Sequence, residues 1–167
     1  TLTVIVPRHP QRFADVAALL ERRGRAYVRR SANRDVPGNC NYFLGDSVGE
    51  LAAYYRAADV AFVGGSLLDY GGQNLIEACA AAVPVLIGPS VYNFALAVEQ
   101  AMQAGAARSA ADAAGILKQA SQLLDDPAAR RAMGESGLAF CEKHRGAADR
   151  MAAIAARLLD RAPAARA

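Results

Sequence analysis

The stretch Asp59 to Gly88, DVAFVGGSLLDYGGQNLIEACAAAVPVLIG, decides the fold. A β-rich run, "DVAFVGG", is followed by a loop bounded by two glycine pairs. A helical pattern, "GQNLIEACAAA", comes next, and then a second β-rich run, "VPVLIG". Strand, helix and strand in that order make a βαβ unit, whose two strands must run parallel because the helix carries the chain back to the starting edge. The helix is expected over Asn74 to Ala82, directly behind Gly71 and Gly72.

The same alternation extends in both directions. Upstream, "LTVIV" is a nearly uniform apolar strand, as expected where helices cover both faces of a sheet. A helix follows over about Gln11 to Arg23, with Phe13, Val16, Ala17 and Leu20 at helical spacing and Gly24 as its stop. "AYVRR" reads as a second strand, placed near the sheet edge by its charged end. "CNYFLG" is a third strand, and "DSVGELAAYYRAA" starts the next helix. Downstream, "PSVYNFALAVEQAMQAG" is a loop and then a helix, and a brief "AAR" strand closes the sheet. Three Ala-rich helices follow, "SAADAAGILKQASQLLDD", "PAARRAMGESGLAFCEKH" and "RGAADRMAAIAARLLDRA", the second with Pro127 in its favoured first-turn position. The fold class is α/β, a doubly wound parallel sheet with helices on both faces. One domain is expected over residues 1–162, with a frayed tail at 163–167. Because the chain opens directly on a strand without an initiating Met, it reads as a piece of a longer protein.

At 167 residues and 53% hydrophobic composition the chain is long and apolar enough to bury one core. Its 19 Lys and Arg against 16 Asp and Glu leave +3, well short of the concentrated charge of a dedicated nucleic-acid binder. The basic residues crowd one segment, Arg22, Arg23, Arg25, Arg29, Arg30 and Arg34, which is either a solvated face or one that meets phosphates or an anionic membrane. Cys40, Cys79 and Cys141 have no ligand spacing and read as buried thiols of a reducing compartment. No apolar run is long enough to span a bilayer, and the N-terminus lacks signal-peptide order.

In a doubly wound sheet, ligands bind beyond the carboxyl ends of the strands. The loops "PRHP", "GDSVGE", "GGSLLDYGG" and "GPSVYN" all fall there, on one rim. Glycines let backbone N–H groups approach a phosphate, a helix N-terminus adds unpaired donors, and the Arg8 guanidinium supplies charge and paired hydrogen bonds. Each feature has a plainer alternative. The glycine pairs also serve tight turns. Asn74 with Glu77 has the spacing of an Asn variant of the capping box. His9 is either a hydrogen-bonded loop residue or a general base. Tyr54, Tyr55 and Phe94 suit the core better than a stacking platform. Other chemistries fit badly: there is no G-x-x-x-x-G-K-[ST], no G-x-G-x-x-G after the first strand, no G-x-S-x-G elbow, and only two distant histidines for a metal.

The runs "PRHPQRF", "LGDSVGELAAYYRAADVAFVGGSL" and "GGQNLIEACAAAVPVLIGPSVYNF" resemble the C-terminal, donor-binding domain of the 3-deoxy-D-manno-octulosonic acid (Kdo) transferases of lipopolysaccharide synthesis. The likeness covers most of residues 4–150. It implies one Rossmann-like half of a glycosyltransferase-B fold, with the N-terminal acceptor and catalytic domain absent from this chain. It further implies a CMP-Kdo donor, a lipid A precursor as acceptor, the cytoplasmic face of the bacterial inner membrane as the site of action, and no cofactor. By motif, Arg8 would meet the CMP phosphate and steady it in the transition state, with His9 beside it. Val48 and Gly49 would touch the cytosine, Gly64, Gly65 and Ser66 would border sugar and phosphate, and Gly71, Gly72, Asn74 and Glu77 would hold phosphate and ribose. No catalytic residue is expected within this piece, which should be soluble, bind nucleotide weakly and transfer nothing alone. The sequence departs from the family at Tyr70 and Gln73, which stand where a "HGGHN" pattern carries histidines. Two other readings are another glycosyltransferase-B enzyme or UDP-sugar epimerase, and a non-catalytic binding module.

Overall fold

The computed structural model describes residues 1–146 and 151–157. The expected strands are present, each is short, and every pairing between them is parallel. They form two three-stranded sheets. One holds β1 (Thr3–Ile5), β2 (Tyr27–Arg29) and β3 (Tyr42–Leu44) in the order β1-β3-β2, and the other holds β4 (Ala61–Val63), β5 (Val85–Ile87) and β6 (Ala107–Ser109) in the order β4-β5-β6. The chain divides correspondingly into two compact units, Thr1–Ala58 and the segment from Asp59 on.

In the first unit, β1 does not have the covered faces that its apolar run predicted. Thr3 and Val4 are exposed and Ile5 is half-buried; the end position of β1 does not by itself account for this, since β2, the other end strand of the same sheet, buries Val28. β2 occupies the other end, as its charged terminus led us to expect. The first helix begins later than predicted. Pro10–Arg12 forms a 3-10 turn before α1 (Phe13–Arg22) starts, and the ring of Pro10, which fixes φ and removes a donor, suits that entry. Ala17 and Leu20 are the buried residues of α1, joined in the core by Val28 and Leu44. The loop after β3 leads into α2 (Leu51–Ala57).

The second unit is centred on β5, whose Val85, Leu86 and Ile87 are all fully buried. Here the uniform apolar run does mean two covered faces. Leu86 packs with Ile116, Leu123 and Met133 from α5 (Ala113–Asp125) and α6 (Pro127–His144). Both helices are capped from their own sequence: Asp112 accepts from the Gly115 N–H, and Asp126 accepts from the Ala129 N–H with Pro127 in the first turn. The remaining described helices with named bounds are α3 (Ile76–Ala80) and α4 (Ala95–Gln103).

α3 lies against α6 at glycines. A Cβ on Gly134 would run into the Ala82 carbonyl, and one on Gly137 would come within 3.2 Å of the Cys79 Cα. α3 ends with Ala82 in the left-handed region, φ 59°, which lets the Val83 N–H reach the Ala78 carbonyl at 3.1 Å. Of the three free cysteines, Cys40 and Cys79 are buried as predicted, while Cys141 is only half-buried. Burial, aided by the neighbouring Cys141 thiol, pushes the Cys79 thiol up to about 12. Of the last Ala-rich helix predicted, residues 151–157 are helical and exposed, and Arg145 and Gly146 form a turn and not its start; residues 147–150 and 158–162 and the tail at 163–167 lie outside the described residues. Among the described residues no helix is long and apolar enough to cross a membrane.

Candidate functional site

Parallel pairing sets the loops after β1 and β3 at one end of the first sheet, and the loops after β4 and β5 at one end of the second. These are the ends at which α/β proteins take ligands. In the first unit, Arg8 and His9 are exposed just beyond β1, and the His9 carbonyl accepts from the Arg12 N–H at 2.9 Å to open the 3-10 turn. The loop after β3 presents Val48 outward with 75% of its surface exposed, next to Gly49 at φ +85°.

Behind that tip the loop is tied down. Asp46, its side chain only 6% exposed, accepts from the Ser31 N–H at 2.9 Å and from the Ser31 hydroxyl at 2.7 Å, with the Arg29 guanidinium 3.9 Å away. Burial opposes ionisation of Asp46, yet the Ser31 hydrogen bonds and the Arg29 charge outweigh it and hold the carboxyl below its ordinary range. Glu50 accepts from the Ser47 hydroxyl and pairs with Arg30 at 3.0 Å, and both contacts lower its pKa. The Ser47 oxygen is also 3.3 Å from the Tyr54 hydroxyl. Tyr54 packs on Gly45, where a Cβ would lie 3.0 Å from the ring, and its ring centroid is 6.3 Å from that of Phe43. Tyr54 is a packing residue here, as its composition class suggested. Of the arginine-rich segment, Arg29 and Arg30 are therefore half-buried in ion pairs, while Arg22, Arg23, Arg25 and Arg34 are exposed.

In the second unit, the loop 64–74 is laced to the loop 88–93. Ser66 is 0% exposed; its hydroxyl donates to the Val63 carbonyl at 2.6 Å and accepts from the Gly88 N–H at 2.8 Å, joining the ends of β4 and β5. Gly88 sits so close beneath Ser66 that a Cβ would collide with the Ser66 carbonyl. The side chain of Ser66, a residue expected to border sugar and phosphate, is thus taken up inside the protein by Val63 and Gly88.

Gly71 and Gly72 both adopt positive φ, +74° and +71°, and both are buried. The Gly71 N–H donates to the Ser90 hydroxyl at 3.1 Å and the Gly72 N–H to the Gly65 carbonyl at 3.0 Å. Their N–H groups are thus taken up within the loops, and not held out as phosphate donors. What Gly71 provides is room, since any side chain there would meet Tyr92 and Asn93. Tyr92 donates to the Asp69 carbonyl at 3.3 Å, and the Asn93 amide donates to the Tyr70 carbonyl at 3.0 Å.

The helix predicted from Asn74 begins at Ile76 and ends at Ala80, so Gly72 does not directly precede it. The Asn74 side chain accepts from the Ile76 N–H at 3.0 Å, two residues on, and donates to Glu77 Oε1 at 3.1 Å. That is an Asx-type turn with a side-chain pair, and not the reciprocal backbone capping box the spacing predicted. Glu77 is exposed, Asn74 is half-buried, and the pair stands ready-made with free lone pairs on a carboxylate. Tyr70 is 65% exposed, whereas Gln73 lies with its Nε2 3.5 Å from where a Gly65 Cβ would be. Gly65, Tyr70, Phe62, Leu68 and Asp112 line an open cavity of about 520 Å³ on this unit. Ser90, Tyr92 and Asn93 belong to the "GPSVYN" loop that the sequence placed on this rim, although it singled out none of them individually.

The chain matches the family model described as "Glycosyl transferases group 1" over residues 24–139. It is 52% identical over 89% of its length to a 3-deoxy-D-manno-octulosonic acid transferase of Bordetella pertussis, and 36% identical over 90% to one of Haemophilus influenzae, spanning 35% of the length of each. Among solved structures it is similar to the C-terminal CMP-Kdo binding domain of WaaA from Acinetobacter baumannii. That likeness has a TM-score of 0.79 and 31% identity, and it covers 83% of this chain and 72% of the other. Parallel sheets, strand-end loops and these likenesses agree: the chain belongs to the group 1 glycosyl transferases, with Kdo transferases as its relatives.

Proposed function

We propose that this chain is the donor-binding part of a Kdo transferase and that its ligand is CMP-Kdo. The observation that carries the reading is the match to a domain described as CMP-Kdo binding, together with strand-end loops that display Val48, Arg8, Asn74 and Glu77. In the first unit, Arg8 meets the phosphate through its guanidinium, with His9 beside it, and the Val48 and Gly49 tip offers an apolar edge and close backbone approach to the cytosine. In the second, the Glu77 carboxylate accepts from the vicinal ribose hydroxyls while Asn74 orients it. Gly64 and Gly65 border sugar and phosphate, and Ser66, Gly71 and Gly72 shape that loop from within.

The reaction is displacement at the anomeric carbon of Kdo. The acceptor oxygen forms the new bond, the bond from that carbon to the CMP phosphate oxygen breaks, and the leaving phosphate gains charge. Arg8 stabilises that charge as it develops, which is where electrostatic catalysis acts. The acceptor, a lipid A precursor, and the general base belong to the domain for which the relatives' additional length makes room. The full protein then works at the cytoplasmic face of the inner membrane, and this part supplies donor and leaving-group stabilisation.

The test is a titration of CMP into the 167-residue chain followed by backbone amide shifts, with UDP alongside. The expected result is movement at Arg8, Gly49, Gly65 and Glu77 at millimolar CMP. No movement in any of these loops refutes the donor-site reading, and a preference for UDP moves the assignment to a UDP-sugar enzyme.

A further inference from the structure

The turn that follows β2 holds the loop that follows β3, and every contact involved lies within the first unit. Arg30–Ala32 forms a short 3-10 turn, entered from β2 and closed by Asn33 in the left-handed region at φ 46°. From this one turn, Ser31 delivers two hydrogen bonds to Asp46 at the start of the β3–α2 loop, and Arg30 delivers an ion pair to Glu50 at its end. Arg30 also reaches back to the Asn33 side chain at 3.4 Å, so its guanidinium is steadied on its own side. Within the loop, the Ser47 hydroxyl bridges Glu50 and Tyr54, and Tyr54 lies on Gly45. Both ends of the loop are thus fixed. Only the tip, Val48 and Gly49, projects.

We infer that Ser31 and Arg30 are positioning residues for nucleobase recognition: they touch no ligand, and they hold the Val48–Gly49 tip in the conformation that meets the base. The inference rests on the proposed donor site. Its physical content is preorganisation. A six-residue loop with a glycine at positive φ has many conformations open to it, and a ligand that must select one of them loses affinity by the fraction populated. The clamp removes that loss before the ligand arrives. It also gives a use to two half-buried arginines of the basic segment, Arg30 on Glu50 at 3.0 Å and Arg29 beside Asp46 at 3.9 Å.

The experiment separates a positioning role from a structural one by using two probes. CMP carries the base, whereas ribose 5-phosphate carries the sugar and phosphate without it. In the unmodified chain, CMP is expected to shift the Val48 and Gly49 amides. Ser31→Ala and Arg30→Leu are each expected to weaken CMP binding about tenfold, the worth of one charge-assisted contact, while leaving ribose 5-phosphate binding unchanged. Ser31→Thr keeps both the N–H and the hydroxyl and is expected to restore CMP affinity. If CMP shifts none of the Arg8, Gly49, Gly65 and Glu77 loops in the unmodified chain, the donor-site reading fails and takes this inference with it; if it shifts the other loops but not Val48 and Gly49, the inference alone is refuted. If CMP binds the unmodified chain and binds both variants equally well, or if the variants weaken both probes alike, the positioning role is refuted while the donor site stands.

Discussion

Replacing Ser66 with alanine removes a single oxygen atom, and the geometry fixes what that costs. The hydroxyl donates to the Val63 carbonyl at 2.6 Å and accepts from the Gly88 N–H at 2.8 Å, in a residue that is 0% exposed. The alanine methyl group occupies the place of the Ser66 Cβ, so no strain is introduced. Water cannot reach the site to replace the lost partner, so the buried Gly88 donor is left unpaired. Leaving such a group unsatisfied costs about 1–3 kcal/mol, and losing the bond to Val63 adds about 1 kcal/mol, for a total of about 2–4 kcal/mol. For a chain of this length that lowers Tm by about 10 °C. Urea unfolding followed by far-ultraviolet circular dichroism should show the midpoint falling with an unchanged slope. Ser90→Ala is the control, since its hydroxyl makes longer contacts of 3.1 and 3.4 Å at a partly exposed place and should cost under about 1 kcal/mol. If Ser66→Ala unfolds at the midpoint of the parent chain, the assignment of this serine as an internal tie is wrong, and a role at the ligand regains its standing.

Two further outcomes follow from the backbone and from the charges. Ala82 holds φ 59°, which an L-residue adopts at a cost of about 1–2 kcal/mol, partly offset on substitution by the greater chain entropy of glycine when unfolded; Ala82→Gly should therefore stabilise by about 0.5 kcal/mol in the same unfolding assay, and a loss of that size contradicts the reasoning. The folded-state pKa of Asp46 is depressed, so its stabilisation is complete above the unfolded value of about 4 and decays as pH falls through the lower folded value. The stability gap between the parent chain and Asp46→Asn should accordingly hold between pH 8 and 6 and narrow below about pH 4; a gap still undiminished at pH 3 rules out the ionised carboxylate as its source.

Most strands were legible because they are runs of β-branched or aromatic residues closed by glycine or a charged loop, β6 (Ala-Arg-Ser) excepted, and parallel order followed from the helices between most of them. Burial was less legible. "LTVIV" and "VPVLIG" look alike in sequence, yet β1 is largely exposed and β5 is fully buried, because burial depends on which helices pack over a strand and not on its own residues. Asn74 and Glu77 were identified by capping-box spacing, but that spacing does not distinguish reciprocal backbone capping from the Asx turn with a direct side-chain bond that forms here. The internal tie made by Ser66 was not legible, because its two partners lie at Val63 and Gly88, the second far along the chain. The tie between Ser31 and Asp46 was hidden the same way, by a separation that no periodicity records.

The glycines of α6 bear on where this chain can be cut. α3 is five residues long, too short to hold a helical form in water unaided. It is kept by its seat on α6, where Gly134 meets Ala82, Gly137 meets Cys79, and the Cys141 thiol reaches the Ile76 carbonyl at 3.6 Å. A shortened version ending before Gly137 would retain every residue of the candidate site and discard the surface on which Glu77 rides. The smallest fragment that keeps the candidate site folded is thus set by a helix that supplies none of its residues, and its boundary belongs beyond Cys141.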